Sequence, residues 1–183
     1  MNKLISLGIV ILVTLSCKSP EARRPISVKT GSFIDVSVER NIKLNESEKT
    51  RILELINQDS EHDYMASESG FWYYYNTKVE LDSLVKPSFG DIVKFNYNVK
   101  ALQGDLIYSK EEQGTQNYAM DQAELFTGLR EGLKLMKVGE TVTFLFPSQK
   151  AFGYYGDSNK IGSSVPLICE VTINSIIENQ INK

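Results

Sequence analysis

The run of residues 128–140 constrains the fold of this chain more than any other stretch. Leu129, Leu133 and Met136 recur at helical spacing, and a glycine on each side marks where a short helix begins and where the chain turns out of it. A strand-like alternation of apolar and polar residues follows, and Pro147 then opens an Ala-Phe-Gly loop. The run therefore predicts a short buried helix that leads through a turn into a strand and a loop.

Alternating apolar residues indicate further strands on both sides of this helix. An aromatic strand begins at residue 69, a turn at 104–105 leads into a short strand, and a last strand covers 167–177. The sets with the clearest alternation are Val93, Phe95, Tyr97 and Val99, and then Val142, Phe144 and Phe146. The sequence therefore predicts an α+β architecture, with five to six antiparallel strands wrapped on one short helix.

This order of elements closely resembles the FKBP-type peptidyl-prolyl cis-trans isomerases. The resemblance covers residues 69–177 and includes the Ser-Gly-aromatic strand, the Gly-flanked helix, the Val-Gly turn and the Ala-Phe-Gly loop. It implies an FKBP-like isomerase domain, predicted at 69–178, in which an apolar pocket binds proline. Chemistry of that kind requires no metal and no cofactor, and none is predicted.

The resemblance also implies which residues form the pocket. The predicted catalytic residues are Tyr97, Phe126, Leu129 and Phe152. The predicted substrate-binding residues are Ile107, Tyr108, Leu125, Ile161 and Cys169. Phe126 occupies the position whose backbone N–H binds a substrate carbonyl in the family, and Tyr97 matches a strand tyrosine that lines the pocket.

Several of these positions depart from the family pattern. Leu129 replaces a tryptophan that forms the pocket floor, and Phe152 replaces a tyrosine whose hydroxyl bonds the substrate. Ile107 and Tyr108 replace a Phe-Asp pair, so the sequence predicts the loss of a buried carboxylate. Two further positions where aromatic residues are usual are occupied by Cys169 and Gln116. The departures leave an alternative open: a non-catalytic chaperone that binds proline segments, or a structural module of an envelope complex.

The N-terminus is predicted to be a lipoprotein signal peptide, residues 1–16. Lys3 precedes a run of roughly twelve mostly apolar residues, fewer than the about 20 that cross a bilayer as a helix. The sequence Thr-Leu-Ser-Cys at 14–17 resembles a bacterial lipobox and predicts that Cys17 is lipidated. An ordinary secretory peptide with a chance cysteine is the alternative.

Two segments separate the predicted anchor from the domain. Residues 17–30 hold two prolines and several charges, which is typical of a flexible tether. Residues 31–68 form an extension in which a short helix is predicted at about 45–58, because apolar residues recur there at helical spacing behind an acidic first turn. This helix is expected to pack on its own domain, with a dimerisation arm as the alternative, so the oligomeric state is left open.

The net charge and the predicted signal peptide limit the classes of partner that this chain can have. A net charge of −3 and a pI near 5.3 argue against a nucleic-acid partner. The expected partners are proline-containing segments of exported proteins, and the membrane through the lipid anchor. Lys18 follows the lipidated cysteine, which favours the outer membrane facing the periplasm. With its lipobox the chain resembles the gliding-motility-associated lipoprotein isomerases of the Bacteroidetes, which implies a role in assembling envelope proteins of a motility apparatus.

Overall fold

The computed structural model describes residues 31–81 and 84–179. The predicted signal peptide at 1–16, the lipidation site Cys17 and the tether at 17–30 lie outside the described residues. Within them, no helix is both long enough and apolar enough to cross a bilayer.

Three helices, one 3₁₀ turn and eight strands follow one another along the described chain. The helices are α1 (Gly31–Gln58), α2 (Lys110–Gln113) and α3 (Thr127–Leu133), and the 3₁₀ turn is Ser148–Lys150. The strands are β1 (Met65–Ala66), β2 (Trp72–Thr77), β3 (Ile92–Tyr97), β4 (Val99–Ala101), β5 (Leu106–Tyr108), β6 (Gln116–Ala119), β7 (Thr141–Phe146) and β8 (Leu167–Ile177).

All described strands belong to one antiparallel sheet. The order is β1-β2-β7-β8-β3-β6, and β4 pairs with both β5 and β8. The 11-residue strand β8 lies at the centre, where it pairs with β3, β4 and β7. This sheet with its short helix α3 confirms the predicted α+β fold class. The sequence predicted five to six strands, and five of the eight described strands have four or more residues. The other three, β1, β4 and β5, are shorter.

The core lies between the sheet and α3. Each alternating set predicted from the sequence points its apolar side chains to this side, and Val93, Phe95, Val142, Phe144 and Phe146 are fully buried. From α3 and the turn after it, Leu129, Leu133 and Met136 meet them and are equally buried. The helical spacing of these three residues thus predicted the buried face of α3.

Two glycines allow α3 to lie directly on β7. A Cβ atom on Gly128 would come within 2.5 Å of Phe146 Cδ1, and one on Gly132 within 2.9 Å of Phe144 Cε1. Such approaches are shorter than any side chain tolerates, so only glycine fits at these helical positions. The glycines therefore lie inside the helix contact itself.

Helix α1 is much longer than predicted. The sequence indicated a short helix at about 45–58, whereas α1 runs over 28 residues, Gly31–Gln58. Its first half is rich in β-branched residues, including Ile34, Val38 and Ile42, which have lower helix propensity than straight-chain residues. The low helix propensity of these residues explains why the sequence did not predict the first half of the helix.

The second half of α1 packs onto the rest of the chain. Residues Val38–Lys183 form one compact unit, so this half belongs with the sheet. Ile52 is fully buried, and the Glu48 carboxylate accepts hydrogen bonds from Ser148 N and Oγ, both at 2.8 Å. The domain start at residue 69 stays a prediction, and these contacts give a way to test it.

A fragment that starts at residue 69 should melt at a lower temperature than one that starts at Val38. The shorter fragment loses the burial of Ile52, worth about 1.5–3 kcal/mol, and two hydrogen bonds to a carboxylate, worth about 1.5–3 kcal/mol each. At roughly 2–4 °C per kcal/mol, the melting temperature should fall on the order of 10 °C, as measured by circular dichroism. Equal melting temperatures would instead support a domain that begins at residue 69.

Candidate functional site

A cleft of about 650 Å³ opens at one end of the sheet. Strands β3 and β6, the segment that leads into α3, α3 itself and the loop after β7 each contribute to its walls. The lining residues are Tyr97, Gln116, Ala123, Glu124, Leu125, Phe126, Arg130 and Phe152. The cleft therefore gathers residues from four separate parts of the chain.

Four of the nine predicted pocket residues line this cleft: Tyr97, Leu125, Phe126 and Phe152. The rings of Phe126 and Phe152 lie 5.1 Å apart between centroids, and that of Phe126 meets Phe146 edge-on at 5.4 Å. Aromatic pairs at these distances stabilise each other beyond the area that they bury. The walls are consequently a connected aromatic cluster.

Tyr97 brings a hydroxyl to the apolar wall. The side chain is 8 % exposed, and its hydroxyl donates to Gln113 Oε1 of α2 at 3.2 Å. Burial raises the pKa of Tyr97 to about 12, because the phenolate loses solvation inside the protein. Tyr97 is therefore a neutral donor and acceptor at physiological pH.

Leu129 and Cys169 lie beneath the cleft and do not line it. Both side chains are fully buried and belong to the main core. Burial also raises the pKa of the Cys169 thiol, so that thiol stays protonated and behaves as a small apolar group. Their effect on the cleft is to support its walls from below.

The other three predicted residues surround the loop that follows Phe152. Tyr108 and Ile161 are 8 % and 4 % exposed, and Ile107 is half-buried. The Tyr108 hydroxyl donates to the carboxylate of Asp157 and accepts from Asn159 Nδ2 at 3.0 Å. These residues join strand β5 to the loop, outside the lining of the cleft.

A carboxylate nevertheless reaches Tyr108, although the strand position itself carries none. It comes from Asp157 in the loop instead of from the strand, and it also accepts from the backbone N–H of Ile161 at 2.8 Å. Burial opposes the charge, but these hydrogen bonds outweigh it and lower the pKa of Asp157. The sequence reasoning missed Asp157, whose only signal is the turn-forming Gly-Asp-Ser-Asn run at 156–159.

Polar side chains at the rim were also missed. Glu124 and Arg130 line the cleft beside the aromatic wall. Arg130 Nε lies 3.6 Å from Asp121 Oδ1 and 3.5 Å from Glu131 Oε1, and it donates no hydrogen bond within the described residues. Nε itself is buried, so only the terminal nitrogens of this guanidinium can donate to a carbonyl of a bound peptide. Neither residue belongs to an alternating pattern that would have singled it out.

The described residues contain no group of three or more His, Cys, Asp or Glu side chains arranged to hold a metal ion. The chemistry available at the cleft is that of an apolar cup with a few hydrogen-bonding groups at its edge.

The family model of FKBP-type peptidyl-prolyl cis-trans isomerases matches residues 85–174. This range contains every residue that lines the cleft. Over this segment the chain matches the FKBP-type isomerase family, which supports the family and the enzyme class that the sequence predicts for it.

Peptidyl-prolyl isomerases of other organisms match about half of the chain. Human peptidyl-prolyl cis-trans isomerase FKBP9 is 28 % identical over 97 residues, which are 52 % of this chain and 17 % of the relative. The probable isomerase FkpA of Neisseria meningitidis serogroup B is 30 % identical over 92 residues, 50 % of this chain and 33 % of the relative. The chain thus spans about a third or less of the length of these relatives.

Solved structures of FKBP-type proteins share the fold. A peptidyl-prolyl isomerase from Pseudomonas syringae gives a TM-score of 0.60 over 74 % of this chain and 95 % of that protein. FkpA from Escherichia coli gives 0.58 over 97 % of this chain and 82 % of that protein. Both are 18 % identical to this chain, so they establish the architecture alone.

Replacing Tyr108 by Phe should raise the pKa of Asp157, because the tyrosine hydroxyl no longer donates to the carboxylate. A depressed folded-state pKa stabilises the protein at neutral pH, and this stabilisation is lost as the pH falls below about 4. We therefore expect Tyr108→Phe to lower the melting temperature at pH 7 and to have a smaller effect near pH 3.

A carboxyl titration followed by NMR measures the pKa directly. Tyr155→Phe is the matched control, because Tyr155 lies in the same loop with its side chain 88 % exposed. An unchanged Asp157 titration in Tyr108→Phe would show that this hydrogen bond does not hold the loop.

Proposed function

We propose that the protein catalyses cis–trans isomerisation of X-Pro bonds in peptide segments bound in the cleft. The observation that carries the proposal is the aromatic cluster of Phe126 and Phe152 beside Tyr97, placed in the family segment of the chain. An X-Pro bond prefers trans by only about 0.5–1 kcal/mol, yet the barrier to rotation is about 18–20 kcal/mol. A catalyst for this reaction has to favour the twisted amide over the planar one.

The cleft can do so without covalent chemistry. The twisted amide has lost its resonance and is less polar than the planar ground state, so an apolar wall that excludes water disfavours the planar form more. Only such a difference between ground and transition state raises the rate. Phe152 and Phe126 supply the wall, and Leu129 adds a fully buried apolar side chain to the core beneath them.

Two donors can hold the peptide while the bond rotates. Phe126 is the N-cap residue of α3, so its backbone N–H precedes the first helical turn and lies outside the hydrogen bonding of the helix. By the family resemblance this N–H binds a substrate carbonyl. Arg130, one helical turn further on, offers a second donor at the rim. Together they fix the residues that flank proline.

The cellular role follows from the predicted anchor. We place the protein in the cell envelope, tethered through Cys17 to the outer membrane on its periplasmic side, where it acts on proline-containing segments of exported proteins. The lipobox at 14–17 supports the lipid anchor. The assignment to the gliding-motility-associated lipoprotein isomerases of the Bacteroidetes, with clients in a motility apparatus, rests on resemblance in sequence.

A non-catalytic, proline-binding chaperone is the second candidate. It is favoured by the missing hydroxyl at Phe152 and by two exposed tyrosines, Tyr154 and Tyr155, in the same loop. These rings are 66 % and 88 % exposed, and they would extend an apolar surface beyond the cleft. Retention of peptide without acceleration of exchange distinguishes this candidate from the enzyme.

The wild-type protein should accelerate exchange in an Ala-Leu-Pro-Phe type peptide, measured by NMR without a coupled protease. Phe152→Ala removes part of the wall and should lower kcat/KM at least about tenfold, equivalent to about 1.4 kcal/mol. Phe152→Tyr adds the hydroxyl of the family and should raise kcat/KM by up to about tenfold, because a net hydrogen bond contributes about 0.5–1.5 kcal/mol.

The control for these variants is Tyr155→Ala, which removes an exposed aromatic ring from the same loop and should leave the short-peptide rate unchanged. A wild type that binds the peptide but does not accelerate exchange establishes the chaperone. A wild type that neither binds nor accelerates contradicts both candidates.

Cys17→Ala should release the protein from membrane pellets or block its processing. Each acyl CH₂ buried in the bilayer contributes about 0.8 kcal/mol, so the wild type should stay in the pellet after a salt wash. Cys169→Ala is the matched control, since Cys169 is buried in the core and should not affect fractionation. A soluble wild-type protein without lipid by mass spectrometry contradicts the anchor.

A further inference from the structure

Glu48 is a buried carboxylate outside the segment matched by the family model. Its side chain on α1 is fully buried, and it accepts from Ser148 N and Ser148 Oγ, each at 2.8 Å. A buried charge is costly unless it is paired or hydrogen-bonded, so these two bonds specify where α1 lies against the 3₁₀ turn. The contact joins residues 100 positions apart in the chain.

Ser148 in turn holds both neighbours of Phe152. The Ser148 carbonyl accepts from the backbone N–H of Ala151 at 3.0 Å and from that of Gly153 at 2.8 Å. Phe152 stands between these two residues and forms one wall of the cleft. The chain of contacts therefore runs from Glu48 through Ser148 to the backbone on either side of Phe152.

The other side of this turn has no room to adjust. A Cβ on Gly128 of α3 would come within 2.7 Å of the Lys150 carbonyl oxygen. The 3₁₀ turn Ser148–Lys150 is thus held by Glu48 of α1 and packed closely against α3. A shift of Ser148 must consequently be taken up by the segment that contains Phe152.

We propose that Glu48 is a positioning residue of the proline cleft: through Ser148 it holds the backbone that aims Phe152 at the bound peptide. Helix α1 then contributes to the geometry of the site, although it precedes the matched segment 85–174. The expected effect of a Glu48 substitution on isomerisation rests on the proposed function. Its expected effect on the backbone at Ala151 and Gly153 is independent of that function.

The test uses the full-length protein with Glu48→Ala, Glu48→Gln and Ile52→Ala. Ile52 lies one turn further along α1 and is equally buried but apolar, so its variant weakens the packing of α1 while leaving the carboxylate in place. Hydrogen exchange of the Gly153 amide, measured by NMR, reports the bond to Ser148 directly. Exchange of the amides of strand β8 reports global opening.

We expect Glu48→Ala to speed exchange at Gly153 at least about tenfold beyond any change in β8, and to lower kcat/KM for the short peptide. Ile52→Ala should speed amide exchange at Gly153 and in β8 by similar factors, even when it lowers the melting temperature as much as Glu48→Ala does. Glu48→Gln keeps an oxygen that accepts from Ser148 N and should recover most of the protection. If the alanine variant does not fold, Glu48→Gln is the test: its Gly153 amide should still exchange faster than in the wild type while β8 is unchanged, because only one of its two terminal atoms accepts a hydrogen bond.

Two results overturn the proposal. One is that the rates of amide exchange at Gly153 and in β8 change by the same factor in both Glu48 variants. This would show that Glu48 contributes to global stability only. The other is loss of Gly153 protection in Glu48→Ala with an unchanged kcat/KM, which would separate the contact from the cleft. An inactive wild type contradicts the proposed enzyme instead, and peptide affinity then replaces kcat/KM as the readout for Glu48.

Discussion

The close contact between α3 and strand β7 is the constraint on which the rest of the structure depends. Gly128 and Gly132 place the helix so near the sheet that any side chain there would overlap Phe146 or Phe144. This approach buries Leu129 completely and sets Phe126, the N-cap residue, at the edge of the cleft. The helix is only seven residues long, so tertiary packing rather than propensity stabilises it.

Two polar contacts position the aromatic wall of the cleft. Asp157 holds the loop after Phe152 to Tyr108 of strand β5, and Glu48 holds the turn before Phe152 to α1. Each carboxylate accepts hydrogen bonds from a side-chain hydroxyl and from backbone N–H, and for the buried Glu48 these bonds replace contact with water. Phe152 therefore lies between two segments that are each held by a hydrogen-bonded carboxylate, the turn before it and the loop after it.

Local patterns predicted most of the fold, and the family resemblance indicated about half of the residues that line the cleft. The alternation of β3 and β7 and the spacing of α3 are signals within a few residues, and the structure has all three elements as predicted. The contacts of Glu48 with Ser148 and of Tyr108 with Asp157 span 100 and 49 positions. No local periodicity encodes such pairs, so the sequence could not show that a loop carboxylate accepts a hydrogen bond from Tyr108.

The tolerance of the cleft to substitution follows from the kind of chemistry that it supports. The core beneath a wall that excludes water can carry Leu129 in place of a tryptophan, because apolar character and burial are retained. Under the proposed isomerase function the position of the wall is less tolerant, since a displaced ring leaves the planar amide in contact with water and reduces the difference that accelerates rotation. In such a site, residues that never touch the peptide can control the rate as strongly as those that do. Glu48 fits this requirement, because its two hydrogen bonds fix a turn while its own side chain stays out of the cleft.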